Sequence, residues 1–121
     1  MLTISIPRGS RAFLLDDDDF RIRWFIERLT SITVAKEAPD AISILDSYPR
    51  FDFLFLDHDL GNFTGTEGDG LHVAQHLATQ GLTGARIFIH SHNYAQAAAM
   101  HDVLKNATVL PFGQFELESV L

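Results

Sequence analysis

The segment FDFLFL, residues 51–56, is almost continuously apolar and runs directly into Asp57, His58 and Asp59. A strand that is apolar on both faces is typical of a parallel sheet, because both faces of such a sheet are covered by helices. Parallel strands also need long crossover connections, so this segment restricts the chain to an α/β arrangement. The two carboxylates and the imidazole at its end require a separate explanation.

The rest of the chain supplies the strands and helices that such a sheet needs. Apolar or β-branched segments at 12–15, 31–35, 85–90 and 107–110 predict four further strands. Apolar residues at helical spacing predict helices between successive strands. We therefore expect an α/β fold with a doubly wound parallel five-stranded sheet and helices on both faces.

The two ends of the chain give weaker patterns. Residues 2–6 alternate apolar and polar side chains, which predicts a short edge strand, whereas 113–121 predict at most a short terminal helix. A chain of 121 residues is long enough to bury a core of its own. We expect 1–121 to form a single domain.

The composition excludes several classes of protein. The chain has no cysteine, which excludes disulfides and thiolate metal sites and fits a cytoplasmic protein. The net charge of −7 provides no general basic surface for duplex DNA. No apolar run approaches the ~18 residues that a membrane span requires. We therefore expect neither a membrane nor duplex DNA as a partner.

Polar residues follow three of the predicted strands where each strand ends. They are Asp16–Asp19, Asp57–Asp59 and the run HSHN at 90–93. The carboxyl ends of parallel strands meet at one edge of a sheet, which is where ligands bind in open α/β folds. Carboxylates crowded together need a counter-charge, and oxygen ligands favour a hard cation, Mg²⁺ or Mn²⁺. A cation held in this way also binds phosphate oxygens.

These segments resemble the response-regulator receiver domain, which has a flavodoxin-like fold. RAFLLDDDDFRIRWFIERL is similar to the first strand, acid pair and first helix of a receiver, and FDFLFLD to the strand that carries the phosphoacceptor aspartate. IFIHS places Ser91 where receivers have Ser or Thr. The resemblance implies metal binding by Asp16 and Asp17, a phosphate-proximal acid at Asp57, and a third metal ligand in the carbonyl of Asp59.

Three departures from the ordinary receiver pattern point to a particular branch. Leu110 precedes Pro111-Phe112 where receivers carry Lys-Pro-Phe, so the usual cation is missing. The segment 57–70 is longer than usual and Gly-rich. LDHDLG and HSHN add imidazoles that a phosphate switch does not need. These features resemble the cyclic-phosphate-processing receiver-like domains, a family proposed to act on terminal cyclic phosphates of RNA.

The chemistry of the residues agrees with that resemblance. Opening a cyclic phosphodiester needs a base to activate water and an acid for the leaving oxygen, and histidine serves as either near neutral pH. We expect a metal-dependent reaction on a phosphorylated small molecule, a nucleotide or an RNA end. A metal held by Asp16, Asp17 and Asp57 would polarise the phosphate, and Asp59 would orient an imidazole. The expected catalytic residues are Asp57, His58, His90 and Ser91, and the expected phosphate-binding residues are Ser91 and Asn93.

Two other functions remain open from the sequence. The first is a response-regulator receiver that a separate kinase phosphorylates on Asp57 in a phosphorelay; Ser91 favours this function and Leu110 opposes it. The second is a pseudo-receiver that only binds an effector protein.

Overall fold

The computed structural model describes residues 1–47, 50–60, 69–80 and 84–120. Residues 61–68, most of the Gly-rich segment noted above, lie outside the described residues. In chain order the elements are β1 (Leu2–Pro7), β2 (Ala12–Leu15), α1 (Asp19–Arg28), β3 (Ile32–Ala35), α2 (Ala38–Ser47), β4 (Phe53–Leu56), α3 (Gly70–Gln80), β5 (Arg86–Ile89), α4 (Tyr94–Val103), β6 (Thr108–Val109) and β7 (Phe115–Val120).

Five of the strands form one parallel sheet in the order β3-β2-β4-β5-β6. Leu56, the last residue of β4, pairs with Leu15 of β2 and with Ile89 of β5. These three strands therefore end at the same level. The prediction of a parallel five-stranded α/β sheet is confirmed.

The two faces of this sheet are covered differently. On one face α2, α3 and α4 pack against the strands, and Ala41, Val73 and Ala97 share one buried cluster with Leu54. On the other face lies α1, whose Phe25 is fully buried and packs against Phe55 at 5.1 Å between ring centroids. Helices therefore cover both faces, as expected. Among the described residues, no helix is both long enough and apolar enough to cross a lipid bilayer.

The terminal segment was predicted wrongly. Residues Phe115–Val120 form β7, which pairs in parallel with β1 in a separate two-stranded sheet. Phe115 and Leu117 are buried, and the glutamates between and after them point away from the core. An alternation of period two is the pattern of a strand with one buried face, so it outweighs helix propensity in this short segment.

The small β1–β7 sheet completes the core on the α1 side. The ring of Trp24 lies 5.6 Å from that of Phe115 and 5.1 Å from that of Phe112, both near perpendicular. The Arg28 guanidinium covers the indole at 4.1 Å from its centroid. Arg28 also bonds Glu116 of β7 at 2.6 Å. These contacts hold β7 against α1, the helix that begins in the acidic run Asp16–Asp19.

Candidate functional site

Three polar residues directly follow the strand ends that lie at one level. Asp16, Asp57 and His90 come immediately after β2, β4 and β5, and all three are buried. The sheet hydrogen bonds continue past the strands, since the N–H of Asp57 donates to the carbonyl of Leu15 and that of His90 to Leu56, both at 3.0 Å. Among the described residues, these three offer ligand atoms that all lie within 4.8 Å of one another.

Asp16 is the most enclosed member of this group, and its carboxylate accepts four hydrogen bonds. Oδ1 accepts from the backbone of Asp18 and from Nη2 of Arg21, both at 2.9 Å, and Oδ2 accepts from Nε of Arg21 and Nε2 of His90, both at 2.8 Å. Burial alone would raise the Asp16 pKa, but the hydrogen bonds from His90 and Arg21 outweigh it and lower the pKa to about 2. Asp16 is therefore ionised and only accepts.

Arg21 is the residue of this site that the sequence reasoning missed. Besides its two contacts with Asp16, Nη2 lies 3.3 Å from Oδ2 of Asp57. Asp18 caps α1 by accepting from the Arg21 N–H at 2.8 Å, which places Arg21 in the first helical turn. A cation is unfavourable at a helix N-terminus, so an arginine there beside four aspartates was a sequence signal for carboxylate partners.

Asp57 lies beside a small polar cavity of about 200 Å³. Its Oδ1 accepts from the backbone N–H of His58 at 2.9 Å, and burial raises its pKa above the usual value. A carboxylate with a raised pKa is a stronger proton acceptor. The cavity is lined by Arg21, Asp57, Asp59, His90, Ser91, His92 and Asn93.

Ser91 and Asn93 form the wall of the cavity after β5. The Ser91 hydroxyl accepts from the Asn93 backbone N–H at 3.0 Å, and Asn93 caps α4 by accepting from the Gln96 N–H at 3.3 Å. The Asn93 side-chain amide lies 3.4 Å from Oδ1 of Asp59. Both predicted phosphate-binding residues therefore lie in the same cavity as Asp57.

The predicted catalytic imidazoles occupy different places. His90 is 1% exposed, and its Nε2 donates to Asp16, while Nδ1 has no hydrogen-bond partner among the described residues. Nδ1 of His58 lies 2.6 Å from Oδ1 of Asp59; its Nε2 approaches Oδ2 of Asp69 at 3.2 Å without hydrogen-bond geometry. His58 does not line the cavity. The catalytic roles of both residues stay predictions.

His92 is the exposed imidazole at the edge of the cavity. Its Nε2 lies 2.7 Å from the carbonyl of Phe112, and because a carbonyl only accepts, Nε2 carries the hydrogen. His92 is not among the predicted catalytic residues. The structure places its ring against the Phe112 carbonyl, whereas the ring of His90 is buried against Asp16.

The remaining predicted metal ligands lie outside the compact group. Asp17 is half-buried, and burial together with the charge of Asp16 raises its pKa. Asp59 is exposed, and its carboxylate contacts His58 and Asn93. Within the described residues, the group of close ligand atoms consists of Asp16, Asp57 and His90. Metal binding by Asp17 and by the Asp59 carbonyl stays a prediction.

A larger groove of about 650 Å³ lies between α1, β3 and α2. Its lining is mainly apolar, from Ile22, Ile26, Val34 and Ile44, with Lys36 at its rim. It contains none of the clustered carboxylates and imidazoles described above. Chemistry, and not volume, therefore identifies the smaller cavity as the candidate site.

The sequence matches one family model, described as Cyclic-phosphate processing Receiver domain, over residues 12–106. The match begins at β2 and ends before β6, so it includes each residue that lines the small cavity. No curated protein matches the sequence.

Solved structures of receiver domains are similar to this chain in fold. The signal receiver domain of a putative LuxO repressor protein from Vibrio parahaemolyticus has a TM-score of 0.60 and 15% identity, covering 93% of this chain and 80% of that one. The REC domain of RcsB from Salmonella enterica serovar Typhimurium, in the presence of the phosphomimetic BeF3⁻, has a TM-score of 0.59 and 16% identity over 87% and 78%. The receiver domain of the histidine kinase CKI1 from Arabidopsis thaliana, complexed with Mg²⁺, has a TM-score of 0.58 and 14% identity, covering 86% of this chain and 83% of that one.

Proposed function

Because this chain belongs to the family of cyclic-phosphate processing receiver domains, we propose that it hydrolyses cyclic or terminal phosphates of nucleotides or RNA ends in the cavity beside Asp57. The main support for this proposal is that Asp57, Ser91 and Arg21 line one small polar cavity. A proton acceptor, a hydroxyl and a guanidinium are the groups that phosphate hydrolysis needs.

The size of the cavity favours a small group. A volume of about 200 Å³ is below the ~300–1,000 Å³ of sites that enclose a whole drug-sized molecule. A phosphate at the end of a larger molecule fits this description, because the rest of the substrate stays outside. The net charge of −7 disfavours long RNA, so a nucleotide or a presented RNA end is the better substrate.

The proposed reaction is a water attack on phosphorus. Asp57 accepts a proton from the water as the new P–O bond forms, and its raised pKa favours this role. The bond from phosphorus to one ribose oxygen breaks. Protonated His92, which lines the cavity, gives that oxygen the proton of Nδ1, while its Nε2–H stays bonded to the Phe112 carbonyl. Ser91 and Asn93 hold the phosphate, while His90 and His58 act as positioning residues through Asp16 and Asp59.

The sequence predicts Mg²⁺ or Mn²⁺ at this site, and the receiver domain of CKI1 is complexed with Mg²⁺. In this chain the four hydrogen bonds to Asp16 use both of its oxygens, and Arg21 also reaches Asp57. A divalent cation on these carboxylates has to displace the guanidinium. The residues as arranged do not fit a bound divalent ion, so no step of the proposed reaction uses one.

The second candidate function is a receiver phosphorylated on Asp57 by a separate cytoplasmic kinase. It is favoured by the positions of Asp57 and Ser91 and by the fold shared with the RcsB receiver. Leu110 disfavours it, because no lysine stands there to bind a phosphorylated aspartate. A small-molecule phosphodonor with Mg²⁺, followed by intact-mass measurement, gives a labile phosphate adduct if this function is correct. If the protein forms no adduct and hydrolyses no substrate, the remaining function is that of a pseudo-receiver that binds an effector protein.

The proposed hydrolysis is tested with a 2′,3′-cyclic nucleotide and ³¹P NMR. We expect conversion to a monophosphate, and we expect Asp57→Asn to slow it at least roughly 100-fold, because the amide cannot accept the proton. The matched control is Asp102→Asn, which makes the same change at an exposed position of α4. Unchanged turnover in Asp57→Asn would remove this residue from the reaction, and no turnover in the unaltered protein would reject the proposal.

A further inference from the structure

Arg21 makes the contacts that a metal ion makes in a site of this kind. It joins two buried carboxylates from adjacent strand ends, Asp16 at 2.8 and 2.9 Å and Asp57 at 3.3 Å. A bound divalent cation neutralises neighbouring carboxylates in the same way. The side chain is 28% exposed, so the guanidinium is shielded without being cut off from the cavity that it lines.

The hydrogen bonds of Arg21 are only partly used by the two aspartates. A guanidinium has five N–H donors, and those on Nε and Nη2 account for the contacts with Asp16 and Asp57. Nη1 makes no hydrogen bond within the described part of the chain. Two N–H groups therefore remain on Nη1 for an anion in the cavity, and hydrogen bonds from a charged donor to phosphate oxygens are roughly twice as strong as those between neutral groups.

The anchoring of Arg21 also opposes replacement by an ion. Arg21 makes a bidentate contact with Asp16, whose side chain is 0% exposed. His90, at another strand end, contacts the same carboxylate. An entering ion would have to break these hydrogen bonds and leave the guanidinium without its partners. Breaking an ion pair of a fully buried carboxylate costs much free energy.

We propose that Arg21 is the resident cation of this site, taking the place of a divalent ion, excluding such ions from Asp16 and Asp57, and binding the phosphate through Nη1. The exclusion of divalent ions does not depend on which phosphate the cavity hydrolyses. Loss of the guanidinium converts the two carboxylates into a divalent-ion site that the unaltered protein lacks.

The test is a titration with Mn²⁺ alone, followed by the EPR signal of the free ion. We expect Arg21→Met to bind one Mn²⁺ at least roughly tenfold more tightly than the unaltered protein. The control Arg23→Met removes the same charge from an exposed position of the same helix and is expected to leave Mn²⁺ affinity unchanged. Adding Asp57→Asn to Arg21→Met is expected to abolish the gained site.

Equal affinity of the unaltered protein and Arg21→Met, or tighter binding by the unaltered protein, overturns the proposal. Circular dichroism shows whether Arg21→Met folds. If it does not, the comparison is made between the unaltered protein and Asp57→Asn: Mn²⁺ binding that Asp57→Asn abolishes overturns the proposal, and equal weak binding in both supports it. None of these outcomes depends on turnover, so they are separate from the test of hydrolysis.

Discussion

Replacing Gly70 with alanine is expected to lower the free energy of unfolding by roughly 3 kcal/mol or more. A Cβ at this position would lie 2.0 Å from the carbonyl oxygen of Asp57 and 2.6 Å from Cα of His58. Both are backbone atoms, so no side-chain rotation relieves the overlap. The N–H of Gly70 also donates to the carbonyl of His58 at 2.9 Å, which holds the start of α3 against the loop that carries the site.

The Gly70 prediction is checked by urea unfolding of Gly70→Ala beside Gly9→Ala. A Cβ on Gly9 would meet no atom within 4 Å, and only its φ of +92° opposes the change. We expect the control Gly9→Ala to lower the free energy of unfolding by about 1 kcal/mol. Equal midpoints for Gly70→Ala and the unaltered protein would show that α3 does not approach Asp57 as closely as described.

Replacing Asp16 with alanine is expected to lower the free energy of unfolding by about 3–5 kcal/mol, because it leaves the half-buried Arg21 guanidinium and the buried His90 imidazole without their acceptor. Arg21 loses both short contacts, and Nε2 of His90 loses its partner. Urea unfolding at neutral pH measures the loss. The control Asp52→Ala removes a carboxylate that bonds the backbone of Arg11 at an exposed position, and should cost much less.

The Asp16 carboxylate also makes stability depend on pH. The ordinary pKa of an aspartate is 3.8 and that of Asp16 in the folded chain is about 2, so its stabilisation is complete above pH 3.8 and is lost as the pH falls through 2. Linkage makes this contribution about 2 kcal/mol. Asp16→Asn keeps the shape of the side chain but cannot ionise. The stability difference between the unaltered protein and Asp16→Asn should therefore shrink between about pH 4 and pH 2, and a constant difference would contradict this account.

The sheet could be predicted from the sequence because its strands are short apolar runs that end in polar residues. The apolar run 53–56 indicated burial on both faces, and each of these four residues is 5% exposed or less. Strand β7 was harder to recognise from the sequence. Its alternation covers few residues, and its partner is β1, at the other end of the chain.

The sequence indicated which strand ends lie together, but not which side chains contact one another there. The strand ends placed Asp16, Asp57 and His90 together, since parallel strands in one register end at one edge. The contact of Arg21 with these acids depends on where α1 begins, and that depends on the cap at Asp18. A pattern of apolar residues locates a helix, but it does not show which side chain of the first turn bends back over the sheet.

Hydrolysis without a metal ion is measured by ³¹P NMR of the unaltered protein with a 2′,3′-cyclic nucleotide, first in EDTA and then with excess Mg²⁺. We expect conversion to a monophosphate at the same rate in both conditions, because Arg21 supplies the positive charge. Conversion only after Mg²⁺ is added would contradict the role of Arg21, and no conversion in either condition would contradict the proposed hydrolysis itself.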